Sequence, residues 1–168
     1  KADKLMNYRI FYLTYLNIKN YYFVDLKSPE KAYRFVYKVF DIFTFVKKEP
    51  DFLLDLGSAY QHDKKYQQAF KTFSKVLLLQ PGSPEVHSYL GACYEMGWGH
   101  PENKVLALKH YIIGKTFDEE KDFMGIKVKN IDKKSCEDDY NYLVKECTIT
   151  ERKKAEELAS NFWTTNNL

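Results

Sequence analysis

Between Pro50 and Ser83 the apolar positions fall into two stripes of helical period. Leu53, Leu56 and Tyr60 recur at spacings of 3 and 4. After the polar run His62-Asp63-Lys64-Lys65 come Tyr66, Ala69, Phe70, Phe73, Val76 and Leu77, and Pro81-Gly82 closes the second stripe. This pattern predicts two amphipathic helices of about thirteen residues joined by a short turn. Pro50 suits the first position of the first helix, where its fixed φ helps and its missing N–H costs nothing. Gly57 and Ala69 are small where two helices must approach, and Phe73 is large enough to wedge between them.

The same pattern returns 34 residues later. Leu56-Gly57-Ser58-Ala59-Tyr60 aligns with Leu90-Gly91-Ala92-Cys93-Tyr94, and Pro50 aligns with Pro84. A fixed period of this length is the mark of a repeat architecture. The second unit then lengthens: Gly97-Trp98-Gly99 opens a turn with four extra residues before Ala107 and Tyr111. No strand is expected before these glycines, so they read as turn geometry rather than a phosphate cradle.

The flanks follow a looser pattern. Residues 3–20 predict one helix with Leu5, Tyr8, Phe11 or Tyr12, and Tyr15 on one face. Ser28-Pro29-Glu30 starts a second, running to about Val46 with Ala32, Val36 and Val39 inward. After Phe117, residues 118–124 predict a helical turn or more, and 125–134 a polar loop. Ser135 to Cys147 predicts a helix with Tyr140, Leu143 and Val144 inward and a Ser135/Asp138 capping box. Thr150 is expected to cap a last helix, Glu151 to Trp163, bearing Ala155, Leu158, Ala159 and Phe162. The 168 residues thus divide into an atypical aromatic pair (1–49), a regular repeat (50–83), a long-turn repeat (84–117) and an irregular segment with closing helices (118–168), all one domain.

The regular unit resembles the tetratricopeptide repeat through Leu56, Gly57, Tyr60, Ala69, Phe73 and Pro81, with Leu53 and Val76 departing from the family's usual Trp and small residue. The long-turn unit is similar to the Sel-one-like repeat, with His100 and Gly114 as its departures. The closing segment also looks like the ends of Sel-one-like proteins. The resemblance covers 50–117 and, less fully, 148–163. It implies an all-α fold, a right-handed α-solenoid of antiparallel helix pairs with a C-terminal capping helix over the last apolar face. It also implies that the first helix of each pair lines a concave groove. The groove positions would be Asp51, Leu54, Ser58 and Gln61, then Glu85, Ser88, Ala92 and Glu95. Some family members grip a chaperone's terminal carboxylate with Lys and Asn there; Leu54, Ser58, Ser88 and Ala92 hold the matching positions, so that clamp is absent.

Composition narrows the chemistry. Hydrophobic residues at 45 % and charged residues at 29 % describe a chain that folds rather than one that stays disordered. A net charge of +3 is a slight basic excess and gives little reason to expect a nucleic-acid partner. No run of 18 apolar residues exists, so no membrane span is expected, and residues 1–20 carry no signal-peptide pattern. Lys1 is not a Met, so a targeting segment could have been removed; the expectation is a soluble chain, with the cytoplasm slightly favoured. Cys93, Cys136 and Cys147 contain no Cys-x-x-Cys and read as buried or idle thiols; a Cys136–Cys147 disulfide is the alternative. His62, His87, His100 and His110 fit no metal pattern and read as solvated or helix-face side chains. No nucleophile or phosphate motif occurs, so neither enzyme, cofactor nor metal is expected.

The expectation is a non-catalytic module that binds a protein or peptide segment in its groove, as scaffold or adaptor. Two alternatives stand beside it. One is an assembly or regulatory subunit docking through the N-terminal helices, whose Tyr12, Tyr15, Tyr21, Tyr22, Tyr33 and Tyr37 exceed what one helix pair can bury and could meet a partner or a second copy of the chain. The other is an RNA-binding helical repeat. Trp98 either packs back over its turn or serves as a partner anchor.

Overall fold

Pro50 and Pro84 each open a helix, and the two apolar stripes after each proline close into a hairpin. The computed structural model describes residues 2–117, 120–123, 126–129 and 131–166. Its first regular hairpin is α3 (Pro50–His62) with α4 (Tyr66–Leu79), and its second is α5 (Pro84–Met96) with α6 (Lys104–Lys115). Ahead of them stand α1 (Ala2–Asn20) and α2 (Pro29–Ile42), and after them α7 (Ile131–Leu143) and α8 (Ile149–Asn166). The described residues are therefore predominantly helical, with eight α-helices that pack against their neighbours.

The two hairpins are locked in the same way. The Phe73 ring lies so close over Gly57 that an added Cβ would meet its Cδ1 at 2.7 Å. The Tyr111 ring lies over Gly91 with the same 2.7 Å approach. Ala69 and Ala107 are fully buried at the matching places on the second helices. The longer second turn closes on a left-handed Gly97 (φ 69°) and Gly99 (φ 76°). At Gly99 the Tyr66 carbonyl and the Phe70 Cβ, at 2.8 Å, leave no room for a side chain. Asn103 then caps α6, its Oδ1 accepting from the Leu106 N–H at 3.0 Å.

The N-terminal aromatics pack mostly on one another. Phe52 of α3 is fully buried among Tyr15 (4.6 Å between ring centres), Tyr12 (5.1 Å) and Phe11 (5.9 Å) of α1. The second N-terminal helix stops at Ile42 rather than Val46. Phe43 turns to extended backbone, and a short 3-10 turn, Phe45–Lys48, follows. Phe43 and Phe45 thereby reach back to Phe11, at 4.8 and 5.0 Å. Tertiary packing of aromatic rings here outweighs the helical pattern. The first helix also continues past residue 20, through a π-helical turn over Tyr21–Asp25.

The C-terminal part differs most from the sequence expectation. An antiparallel ribbon, β1 (Glu120–Phe123) with β2 (Ile126–Lys129), replaces the expected helical turn and loop, in the register Phe123↔Ile126 to Glu120↔Lys129. It is a short addition to an otherwise α-helical fold. Of the rest of 118–134, residues 131–134 form the first turn of α7 rather than a loop, and 118–119, 124–125 and 130 lie outside the described residues. α7 begins at Ile131, so Ser135 sits inside the helix and caps nothing. The cap of α8 is Thr148, not Thr150. Thr148 Oγ1 accepts from the Glu151 N–H at 3.2 Å, and Glu151 accepts from the Thr148 N–H at 2.8 Å. That reciprocal pair is a capping box. Both α7 and α8 pack on α6, and α7 also reaches α5. Cys136, Leu143, Ala155 and Ala159 are among the buried residues of this end.

Candidate functional site

Side-chain contacts join α1 to α3, α3 to α5 and α5 to α7. From α1, Tyr15 Oη donates to Asp55 of α3 at 2.7 Å, and Lys19 forms an ion pair with the same carboxylate at 2.7 Å. From α3, Ser58 Oγ donates to Tyr89 Oη of α5 at 2.8 Å. From α5, Ser88 Oγ stands 3.4 Å from Ser135 Oγ of α7. α1, α3, α5 and α7 are therefore linked edge to edge. The eight residues expected to line a groove sit on α3 and α5, the helices that carry these links.

Asp51 is exposed on the first turn of α3. Leu54 is half-buried and packs against the N-terminal core. Ser58 is half-buried and committed to Tyr89. Gln61 is half-buried. On α5, Glu85 accepts from Ser83 Oγ at 2.7 Å, and Glu95 accepts from Tyr111 Oη at 2.7 Å. Ser88 touches α7, and Ala92 is half-buried with no side-chain polar atom to commit. The space beside Ser58 is thus crossed by Tyr89, and the partly open part of the strip is Leu54, Gln61 and Ala92, with Asp51 exposed but accepting from Tyr12 Oη of α1. The Asp139 carboxyl is held above its usual range, first by burial and then by the charge of Glu95, which places α7 beside the end of α5.

Tyr89 escapes a reading of the sequence. Its ring stacks on Phe73 at 4.5 Å and 6°, so one side chain ties α5 to both helices of the preceding hairpin. The signal available is its position one residue before Leu90, at the place that Asp55 holds in the preceding unit. Asp55 is the residue that receives α1, so this position is the link point in both units. Trp98 lies flat on Tyr66, with ring centres 5.1 Å apart and planes 2° apart, and is half-buried. One face of the indole is therefore taken by α4 of the preceding hairpin, not by its own turn.

Two of the histidines depart from the expectation of solvated or helix-face side chains. His62 and His100 lie in or beside turns, but His87 and His110 are buried, 0 % and 4 % exposed, and meet at the α5–α6 contact with Nδ1 atoms 2.9 Å apart. His87 Nε2 lies 2.9 Å from the Pro81 carbonyl. A neutral pair satisfies all three atoms: His87 donates from Nε2 to Pro81, and His110 donates from Nδ1 to His87 Nδ1. Phe162 of α8 stands edge-on to His87 at 5.2 Å, and Tyr94 stacks on His110 at 5.5 Å. Burial pulls the His87 pKa down to about 4 and holds His110 well below its usual value. Each ring, taken on its own helix, gives no sign of the other.

The cysteines are free and buried, with no disulfide between Cys136 and Cys147. Burial raises the Cys93 thiol to about 12, and Cys136 Sγ donates to the Pro84 carbonyl at 3.6 Å, so neither is an activated thiolate. Among the described residues no group of three or more His, Cys, Asp or Glu stands where it could hold a metal ion, and no helix is long and apolar enough to cross a membrane. Comparisons with protein-family models, with curated proteins and with solved structures find no match to this chain.

Proposed function

We propose that this protein is an α-solenoid of the tetratricopeptide and Sel-one-like kind, wound right-handed, whose first helices form one binding strip for an extended peptide or protein segment. It works without catalysis, as scaffold or adaptor. The observation that carries the reading is the repeated lock: Phe73 over Gly57 and Tyr111 over Gly91 are the same contact in two hairpins whose first helices start 34 residues apart. Side-chain links from α1 through α3 and α5 to α7 support a continuous strip rather than isolated hairpins. The strip offers an apolar patch (Leu54, Ala92), an amide (Gln61) and, at its end, the exposed carboxylate of Asp51, which already accepts from Tyr12. An amide and a carboxylate can bond the backbone of an extended segment while small residues let it approach.

The test is a peptide selected from a random library on the immobilised chain. Its affinity is then measured for the wild type and for the Gln61→Arg/Ala92→Arg variant. Both positions are half-buried and stand outside the inter-helix links described above, so the fold should persist. A loss of at least about tenfold is expected. Unchanged affinity for every selected peptide would place binding elsewhere.

A further inference from the structure

A hollow of about 440 Å³ opens between α2 and α4, over the face of α3 that carries Leu53, Leu56 and Tyr60. Helical spacing puts these three on the side of α3 away from Leu54, Ser58 and Gln61, so the hollow is separate from the binding strip. Its floor is apolar: Phe40 of α2 and Leu53 are buried, and Leu56 and Tyr60 are half-buried. Its volume falls in the range of sites that take a small ligand or an anchoring side chain.

The rim is cationic. Lys71 and Lys75 stand one turn apart on α4, Lys47 comes from the 3-10 turn after α2, and all three are exposed. Among the lining residues Asp41 is the one acid. Lys71 and Lys75 are like charges four residues apart, a spacing at which they repel each other on the helix. None of the three ammonium groups has an ion pair among the described residues. Lys75 Nζ reaches from α4 to the 3-10 turn and donates to the Lys47 carbonyl at 2.8 Å. That bond fixes the ammonium at the rim with two N–H groups still to give.

We infer that this hollow binds an acidic peptide segment, with one apolar side chain on the floor and flanking carboxylates on Lys47, Lys71 and Lys75. Three cations against one carboxylate select an anion, and the apolar floor selects an anion that brings hydrocarbon with it. A single-stranded nucleic acid supplies the charge but needs an open ring face for its bases. Here the Tyr37 and Tyr60 rings meet at 5.6 Å, and the Lys65 ammonium lies over them at 5.2 and 6.0 Å. The inference does not depend on the strip, because none of the strip's residues lines the hollow.

The experiment is a fluorescence-anisotropy titration of the full chain against labelled peptides Glu-Glu-x-Glu-Glu, with x Leu, Ile or Phe. Beside them go the same peptides with Gln for Glu, and a labelled oligothymidylate of about eight nucleotides. At least one acidic peptide should bind with a Kd of about 10–100 μM, and its Gln counterpart at least about tenfold more weakly. The Lys47→Glu/Lys71→Glu variant should lose at least about tenfold. It keeps the Lys75 bond, which uses only the backbone of Lys47. The Gln61→Arg/Ala92→Arg variant should bind as the wild type does, which separates this hollow from the strip. Where the double glutamate variant loses helical circular dichroism, Lys71→Gln decides, with an expected loss of about threefold. No binding of any acidic peptide up to about 1 mM overturns the inference. So does equal affinity for the Gln peptides, affinity untouched by the lysine variants, or tighter binding of the oligothymidylate.

Discussion

Among single side chains, the most consequential pair is His87 and His110. Folded, both are neutral and bonded to each other; burial, and then the nearby Lys109 ammonium, oppose charging either ring. Unfolded, each takes a proton near pH 6.5, whereas folded His87 resists until about pH 4. Between those values the unfolded chain binds more protons, so stability falls as the pH falls and is unaffected by this pair above about 6.5. The loss from His87 alone is about 3 kcal/mol across that window. Urea denaturation at pH 7.5 and pH 5.0 should show it as a lower midpoint at pH 5.0. The His87→Leu/His110→Leu variant should lose less between the two; an identical loss would remove the pair from the explanation. The pair is partly legible in the sequence: His87 stands three residues before Leu90 and His110 three after Ala107, each on an apolar stripe. What a single chain's periodicity does not give is that the two stripes meet at those points.

Among the helices and strands, strongly punctuated hairpins are readable and weakly punctuated segments are not. Pro50, Pro84, the Gly57/Phe73 pair and the polar turns mark α3 to α6 almost to the residue, because backbone constraint and close helix approach admit few residue types. Gly57→Ala and Gly91→Ala should each destabilise by about 1–3 kcal/mol, since the new methyl meets an aromatic ring packed over it. Thermal or urea unfolding measures this, and Gly57→Ala/Phe73→Leu should recover part of the loss. Asn103→Ala removes the cap of α6 and should cost about 1 kcal/mol. At the last helix, Thr148 has an acidic residue three positions on and Thr150 has Lys153, so the spacing of a capping box favours the observed cap. The ribbon at 120–129 is hidden because four-residue strands are too short for a period to declare itself.

For the molecule as a whole, the repeat register is local information and is visible in the sequence, but the distances between repeats are not. Whether a groove position stays open depends on which side chain of the next helix reaches it. Tyr89 closes the space at Ser58, whereas Ala92 and Gln61 stay half-open. The aromatic excess of the N-terminal pair likewise resolves only in three dimensions: Tyr12 and Tyr15 are core, Tyr33 packs on His62, and Tyr21 remains on the surface beside α1. Whether the linked first helices form one peptide-binding strip is decided most directly by backbone amide shifts of the ¹⁵N-labelled chain, followed as a selected peptide is added. Changes should gather along α3 and α5 at Asp51, Leu54, Gln61 and Ala92, with little change along α4 or α6. Changes confined to α4, α6 or the outer face of α1, with α3 and α5 silent, would contradict the proposed strip.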